Sequence, residues 1–209
     1  MCCAIAAPSA FGRTTFGALI GYNKGTLSRE IDESFTGVST QGYLGYQFWR
    51  LEARAFFQHM DLKYKSNNEN FNGIYTMAGL GLGSSQSLGR GTFSAFAQVP
   101  LTGSYIVLSE TEGTVKGTEY IHSTLITLQG GQAYQLLLGY QFRIIGSGKK
   151  TAENLHLGTF LGYLRQNFAS QTTRVKTNNS ELEPQSPGTE ACSCSATLTS
   201  LNFSLNYEL

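Results

Sequence analysis

The chain has 209 residues, which suits a single domain, and its formal net charge is +1 with charged residues at only 14%. This balance gives no electrostatic reason to expect a nucleic acid as a partner. No stretch approaches the roughly 18 to 20 consecutive apolar residues that a transmembrane helix requires, which excludes a helical membrane span.

The composition favours β-structure over helix. Hydrophobic residues make up 41% of the chain, but they are dispersed among 24 glycines, 13 phenylalanines and 11 tyrosines. Aromatic residues are enriched in strands. A chain of this kind can cross a membrane only as a closed barrel, because every backbone polar group must be paired within the lipid.

The two ends of the chain carry its four cysteines. Residues 1–10 are small and apolar, with an Ala-x-Ala pattern at Ala4 to Ala6. We interpret them as a signal-peptide remnant or a disordered tail before a single domain, 11–209. Cys192 and Cys194 are separated by one residue, which is too little for a zinc knuckle. A local disulfide and two free thiols both fit this spacing.

The first four predicted strands alternate apolar residues with glycine and polar residues, which places the apolar ones on one face. The first and third rows keep this face for about nine to eleven residues, the length of a tilted membrane-crossing strand. They end in charge at Lys24 and Asp61, and we predict that they rise to the outside while the second and fourth return. The four apolar rows are Phe16-Ala18-Ile20-Tyr22, Val38-Thr40-Gly42-Leu44-Tyr46-Phe48, Leu51-Ala53-Ala55-Phe57 and Ile74-Thr76-Ala78-Leu80-Leu82.

The region from Thr92 to Leu128 departs from this scheme. It begins as a strand, but Pro100 lacks an amide donor and predicts a bulge, an edge or a turn. We interpret the region as one long hairpin that projects above the bilayer, with Gly130 and Gly131 marking a bend on the descending arm. The alternative is an extra membrane-crossing pair, which would give ten strands instead of eight.

The last three predicted strands repeat the alternation. The middle row ends in charge at Arg165 and should rise to the outside, while its two neighbours return. The three apolar rows are Tyr134-Leu136-Leu138-Tyr140-Phe142, Leu157-Thr159-Leu161-Tyr163 and Leu201-Phe203-Leu205-Tyr207-Leu209.

The connections between strands alternate in length, as expected for periplasmic turns and external loops. The short connections are Trp49–Arg50, Ser84–Gly91 and Ile145–Ala152. The longer ones are Arg29–Thr36, Lys65–Phe71, Glu110–Thr118 and Ala169–Cys194.

Aromatic placement separates a membrane barrel from a soluble one, since both alternate. Six rings fall at the same end of their strands and predict an interfacial girdle. They are Tyr46, Phe48, Trp49, Tyr140, Phe142 and Tyr207. The opposite faces hold the charged residues Glu52, Arg54, Arg143 and Glu208, for which we predict a polar network in the lumen that packs and solvates the interior.

The sequence predicts no catalytic, metal or cofactor site. His122-Ser123-Thr124 superficially resembles the His-x-Ser of barrel lipid A deacylases, but the acidic partner expected about a dozen residues later is absent. The three histidines are isolated and no carboxylates cluster at ligand spacing. Gly79-Leu80-Gly81-Leu82-Gly83 alternates as a strand, and its glycines should admit large lumen side chains such as Phe96 and Tyr43.

Two repeated strand ends carry a family resemblance. Gly42-Tyr43-Leu44-Gly45-Tyr46-Gln47-Phe48 and Leu138-Gly139-Tyr140-Gln141-Phe142 resemble the Gly-Tyr-x-Phe strand ends of small outer-membrane barrels of the OmpA and OmpX type. The resemblance extends from about Phe11 to the end of the chain. It implies a closed antiparallel up-and-down transmembrane β-barrel of eight strands, in the Gram-negative outer membrane. The last strand resembles the signal that the barrel-assembly machinery reads, although it ends in Leu209 where a terminal aromatic is usual.

This architecture points to outer-membrane lipid as one partner and leaves the function among three hypotheses. The first, which we predict, is a structural or surface-interaction role, adhesion-like, through loops 110–118 and 169–194. The second is a narrow porin-like channel for small solutes or ions, although about eight strands leave room only for the barrel's own side chains. The third is a lipid-modifying enzyme, and we predict that the protein is not an enzyme.

Overall fold

The computed structural model describes residues 12–29, 32–66, 69–115, 118–144, 155–177 and 188–208. Residues 1–10, predicted to be a signal remnant or tail, lie outside the described residues. No helix in the described ranges is long and apolar enough to cross a membrane. The strands are β1 (Arg13–Ser28), β2 (Asp32–Phe48), β3 (Leu51–Ser66), β4 (Glu69–Leu88), β5 (Gly91–Val115), β6 (Thr118–Gln129), β7 (Ala133–Arg143), β8 (Leu155–Thr177) and β9 (Gly188–Glu208).

The nine strands close into a ring with eight positions. Each strand pairs antiparallel with its neighbours, and β1 closes the ring against β9. Strands β6 and β7 share one position, since β5 and β8 pair with β6 near one end of the barrel and with β7 near the other. The prediction of eight strands with a bend at Gly130–Gly131 is therefore confirmed, and the ten-strand alternative is wrong.

The faces of the strands follow the predicted alternation. The large side chains of the predicted apolar rows point outward; Ile20, Leu44, Phe57, Leu82 and Phe203 are among the most exposed. Their neighbours along the chain point into the lumen. A sheet that exposes its apolar face on a closed ring has that face in contact with lipid.

The outward apolar residues form a belt whose height matches a bilayer. At one end of the barrel, the turn end, two-residue turns at Trp49–Arg50 and Gly89–Arg90 join the strands. On β3 the belt runs from Leu51 to the exposed Asp61, which is about 33 Å along the strand. With a strand tilt of about 40°, this corresponds to about 25 Å along the barrel axis, the usual height of such a belt.

The strands continue beyond the belt at the opposite end, the loop end. Strand β5 has 25 residues, or about 80 Å of extended chain, where about ten residues suffice to cross a bilayer. The four connections predicted as long loops are mostly strand in their described parts. They are Arg29–Thr36, Lys65–Phe71, Glu110–Thr118 and Ala169–Cys194, and 178–187 within the last lie outside the described residues. The prediction of long loops is wrong at these places because the chain pairs with its neighbours outside the membrane. We call the strand segments beyond the belt the extension.

The extension has an apolar interior of its own. On β3, Asp61 and Lys63 point outward while Leu62 and Tyr64 are buried, which reverses the polarity of the two faces relative to the belt. The interior is closely packed with aromatic rings, with centroids 5.8 to 6.0 Å apart along the series Phe35, Tyr64, Tyr105 and Tyr75. The expected polar lining holds only for the half of the lumen near the turn end. We call the apolar half the outer core; its buried side chains include Leu27, Phe35, Leu62, Tyr64, Tyr75, Tyr105, Val107, Leu128 and Phe168.

The barrel wall is interrupted where β6 ends and β7 begins. Strand β5 pairs with β7 up to Gln98 and with β6 from Ser104 onward, and five residues of each partner lie between these pairs. The register is the same on both sides, so β6 and β7 act as one interrupted strand. On its other side β5 has a bulge next to Pro100, with Gly79 and Ala78 paired to Pro100 and Thr102. The predicted irregularity at Pro100 is thus a β-bulge. We call this region, 99–103 and 130–134, the wall break.

A disulfide joins Cys192 to Cys194, with their Cα atoms 5.3 Å apart. The strand pairing of β9 with β8 slips by one residue at this point, between the pairs of Phe168 and Ser170. The disulfide therefore bridges a bulge in β9, and it corresponds to the first of the two alternatives that the spacing fits.

Candidate functional site

An ion pair closes the lumen near the turn end. Arg54 Nη2 lies 3.1 Å from Glu52 Oε1, and the side chains are 2% and 8% exposed. The two residues are two apart on β3, so both point into the lumen. Thr15 Oγ1 on β1 donates a second hydrogen bond to the same carboxylate oxygen, at 3.0 Å. The pair thus carries additional hydrogen bonding, as buried charges require.

Two aromatic rings contact the Arg54 guanidinium, Tyr43 from β2 and Phe96 from β5. Its central carbon lies 4.1 Å from the Tyr43 ring centroid and 3.2 Å from that of Phe96. Both distances are within the range of cation–π attraction. The Tyr43 hydroxyl in turn donates to Asn206 Oδ1 on β9. We call Glu52, Arg54, Tyr43, Phe96 and Thr15 the plug.

Glycines make room for the plug. A Cβ at Gly83 would overlap the Phe96 ring, and one at Gly17 would crowd the Tyr43 hydroxyl. The expectation that glycine admits Phe96 therefore holds at Gly83, whereas Tyr43 is accommodated by Gly17 on β1 and not by the glycines of β4. At Gly81 the nearest side chains are Gln98 and Arg54.

The other two predicted network residues lie at the rim of the turn end. Glu208 Oε2 is 3.0 Å from Arg13 Nη1, and its other oxygen is 3.4 Å from His156 Nε2. Arg143 is exposed and pairs with His156 in the strand register. The structure therefore places the four charged residues in two groups, the Glu52–Arg54 pair inside and Glu208 and Arg143 at the mouth.

These rim residues line a polar vestibule of about 520 Å³ that opens at the turn end. Glu52 and Tyr43 form part of its inner wall, so the plug separates the vestibule from the rest of the lumen. Four arginines face the cavity, and the described acidic residues in its lining are Glu52 and Glu208. The arginines are Arg13, Arg50, Arg90 and Arg143.

A layer of glutamines fills the lumen between the plug and the outer core. Gln41 Nε2 donates to Gln98 Oε1 at 3.2 Å. The remaining amide atoms Gln58 Oε1, Gln98 Nε2 and Gln135 Oε1 are buried without a hydrogen-bond partner among the described residues. Such atoms are suited to ordered water, which commonly satisfies buried polar groups.

The six predicted girdle residues all lie at the turn end. Tyr46, Phe48, Trp49, Tyr140 and Phe142 are exposed on the outer face. Tyr207 is half-buried, with its ring 5.2 Å from that of Phe16. A second pair of rings, Tyr134 and Tyr163, lies 6.1 Å apart at the other edge of the belt.

The histidines do not converge on a site in the described part of the chain. His59 lies at the outer edge of the belt, 3.3 Å from Asp61, while His156 lies at the opposite mouth. His122 is on β6, paired in register with Thr111 and Thr177, and its side chain is outside the described set. No grouping of three or more His, Cys, Asp or Glu residues within the described ranges could hold a metal ion.

No protein-family model and no curated protein sequence matches the chain. Among solved structures, Neisserial surface protein A matches with a TM-score of 0.52 at 12% identity, over 93% of this chain and 97% of that one. The fold is that of a small outer-membrane β-barrel. The barrel also matches the outer-membrane protease OmpT of Escherichia coli (TM-score 0.44, 9% identity, 95% and 96% covered) and the translocator domain of the autotransporter NalP of Neisseria meningitidis (0.36, 12%, 93% and 88%). At these levels of similarity the comparisons bear on the fold and not on activity.

Proposed function

We propose that this protein is an integral outer-membrane barrel whose extension contacts a surface outside the cell. The observation that carries the proposal is that the lumen is filled at successive levels while the strands continue far beyond the belt. The plug, the glutamine layer and the outer core occupy the interior. The extension provides a platform whose edges and faces are available to a partner.

The extension is suited to binding because its described strands pack around a closed apolar interior. Buried rings such as Tyr64 and Tyr105 hold its strands together from inside, as in a water-soluble domain. Preorganised surfaces lose less entropy on binding than mobile loops do. The contact surfaces in this proposal remain segments 110–118 and 169–194.

Two further partners belong to the same proposal. Outer-membrane lipid contacts the belt, and the barrel-assembly machinery recognises β9. Support for the second comes from the alternating outward residues at the end of that strand, Leu201, Phe203 and Leu205, which are all exposed.

The test shortens the β5–β6 hairpin without changing its register. Residues 110–115 pair with 118–123, so deleting both segments removes matched pairs and retains 116–117 as the connection. Vesicles carrying the full chain should attach to immobilised epithelial cells or matrix proteins, and the shortened protein should attach several-fold less. Both proteins must show the same heat-dependent electrophoretic mobility. Equal attachment of both, or none above empty vesicles, would remove the support for this function.

A narrow channel is the second candidate, favoured by the open vestibule and the unpaired glutamine atoms. We expect planar bilayers containing the folded barrel to stay electrically silent, because the plug and the outer core block the lumen in series. Discrete single-channel conductance that changes with Arg54→Ala would replace the surface-interaction proposal with this one. Catalysis has no support from the geometry of the described residues, and the protein is proposed to be non-enzymatic.

A further inference from the structure

The wall break creates a pocket in the outer face of the barrel. This side pocket has a volume of about 380 Å³ and lies between the β5 bulge and the junction of β6 with β7. It is present because β5 has no partner on its β6–β7 side from Val99 to Gly103, while Gly130 and Gly131 take positive φ values and turn the facing strand aside. Two independent irregularities, on both sides of β5, thus coincide at one level.

The pocket has a closed floor. Gln166 is 2% exposed, and its Nε2 donates to the carbonyl oxygens of Gly130 and Asn167, both at 2.9 Å. Its Oε1 accepts a hydrogen bond from the Tyr75 hydroxyl, also at 2.9 Å. The side chain therefore satisfies backbone groups that the interrupted ladder leaves free. Because this amide fills the gap, the pocket opens to the outside of the wall and not into the lumen.

The position of the pocket indicates the region of the membrane from which its occupant comes. Phe57 in its lining is the last apolar residue of the β3 row, four residues before the exposed Asp61. Tyr134, three residues after Gly131, pairs in register with Arg165, where the belt ends on β8. The pocket therefore lies at the outer edge of the belt, at the boundary between acyl chains and head groups of the outer leaflet.

The lining fixes the chemistry of the occupant. The outward side chains of Phe57 and Leu101 supply an apolar part. The hydroxyls of Thr76 and Ser104, which are hydrogen-bonded to each other at 3.2 Å, and that of Thr102 supply a polar part. No charged residue is among the described residues that line it. An anionic head group would find no counter-charge there, whereas a neutral group rich in hydroxyls or amides would find both donors and acceptors.

We propose that the side pocket is a binding site for one amphiphile of the outer leaflet, with an acyl chain along the belt and a neutral hydroxyl- or amide-bearing group in the wall break. The lipid lies against the barrel from outside, and its polar group hydrogen-bonds the hydroxyls at the edge of the bulge. This site is separate from the extension, and it does not depend on the proposed surface contact.

Tryptophan quenching tests the site in vesicles of phosphatidylcholine. The reporter is Phe57→Trp in a Trp49→Phe background, and the control reporter is Leu82→Trp, which is exposed in the belt but does not line the pocket. The probe is a monoacylglycerol with a brominated acyl chain. We expect it to quench the Phe57→Trp reporter at an about tenfold lower mole fraction than the control reporter, equivalent to about 1.4 kcal/mol of preference.

Filling the pocket should remove this preference. Ala78 lines the pocket, so Ala78→Leu should make the two quenching curves coincide, whereas Ala55→Leu, outward on β3 and away from the pocket, should not. Thr102→Leu serves as a second filling variant should Ala78→Leu fail to fold. If the quenching curves of the two reporters were identical without a pocket-filling substitution, both reporters would be contacting bulk lipid only. This outcome would overturn the proposed site. Stronger quenching by brominated phosphatidylglycerol would overturn the neutral chemistry.

Discussion

At the scale of single residues, Arg54 is the side chain on which the plug depends. Arg54→Ala would leave Glu52 buried without its cation, and such unpaired charges destabilise by roughly 3 to 5 kcal/mol. We expect a corresponding fall in the free energy of unfolding, measured by urea titration of the barrel in lipid vesicles.

The control for this change removes both charges. Glu52→Gln with Arg54→Met keeps about the same volume but buries no charged group, so it should recover most of the stability lost in Arg54→Ala. If the double variant were as unstable as Arg54→Ala, packing against Tyr43 and Phe96 would be the dominant role of Arg54.

Gly83 offers a second test because its lack of a side chain admits Phe96. Gly83→Ala should displace that ring and destabilise the barrel by about 1 to 3 kcal/mol, the usual cost of overpacking. Gly42→Ala is the matched control, since a Cβ at Gly42 meets no atom within 4 Å. Equal midpoints of urea unfolding for the two variants would contradict the packing described at the plug.

Tyr64 makes the extension sensitive to alkali. Burial raises the pKa of Tyr64 above its usual range, Glu33 raises it further and Arg29 lowers it. The folded state then binds the Tyr64 proton more tightly than the unfolded state does. The stability that this proton contributes is complete below about pH 10 and is lost as the pH rises further. Near-ultraviolet circular dichroism should show the extension opening in this range, and Tyr64→Phe should shift the opening to higher pH.

The sequence alone could place Glu52 and Arg54 together but not the rest of the charged residues. Two residues apart on one strand necessarily share a face, which is local information. The contact of Glu208 with Arg13 joins residues 195 positions apart, and it depends on the closing register of β1 and β9. Tyr43 and Phe96 approach Arg54 from other strands, so the plug emerges only when the ring closes.

At the scale of strands, a change of face marks where the chain leaves the membrane. In β3 the apolar row ends at Phe57 and resumes on the other face with Leu62 and Tyr64. The apolar row from Leu51 to Phe57 is sufficient to predict that β3 crosses the membrane. The change of the apolar residues to the opposite face after Phe57 is also visible in the sequence, and it indicates that the strand continues into the extension. The predicted loops are too long because polar outward residues such as Ser34 indicate a loop, although Ser34 belongs to β2 and its neighbour Phe35 is buried.

Tyr105 tests whether the extension is an element with its own stability. Its ring is buried against Tyr64, Tyr75 and Phe168, and truncation of such a ring costs about 3 to 5 kcal/mol. We expect Tyr105→Ala to expose the extension to limited proteolysis while the belt region keeps its resistance to dodecyl sulfate without boiling. Leu82→Ala, on the lipid face, should leave the proteolysis pattern unchanged. If Tyr105→Ala removed both the protease resistance of the extension and the dodecyl sulfate resistance of the belt region, the two regions would unfold as one unit.

At the scale of the whole molecule, the eight-position ring could be predicted because each strand shows the same alternation of apolar and polar residues within its own segment. The wall break is the exception that the sequence indicated only in part. Pro100 and Gly130–Gly131 predict irregular backbone in this region. That β6 and β7 keep the same register follows only from their pairing with β5 and β8. Deleting one residue there would move every inward side chain of β6 outward.

The detergent-refolded protein should behave as a membrane barrel. We expect a β-rich circular dichroism spectrum in micelles, faster electrophoretic migration before boiling than after it, and aggregation when the detergent is removed, since the belt has no other apolar phase to contact. A stable β-rich monomer in plain buffer would show that the belt does not require lipid.

The reversal of the two faces has a consequence for heat capacity. Opening the extension transfers buried rings such as Tyr64 and Tyr105 into water, which raises the heat capacity as in a soluble domain. The belt stays in lipid during that step and contributes little to the change. The free energy of unfolding of the extension therefore has a maximum near ordinary temperatures and falls on cooling as well as on heating. The folded fraction of the extension thus depends on growth temperature more strongly than that of the membrane-spanning half.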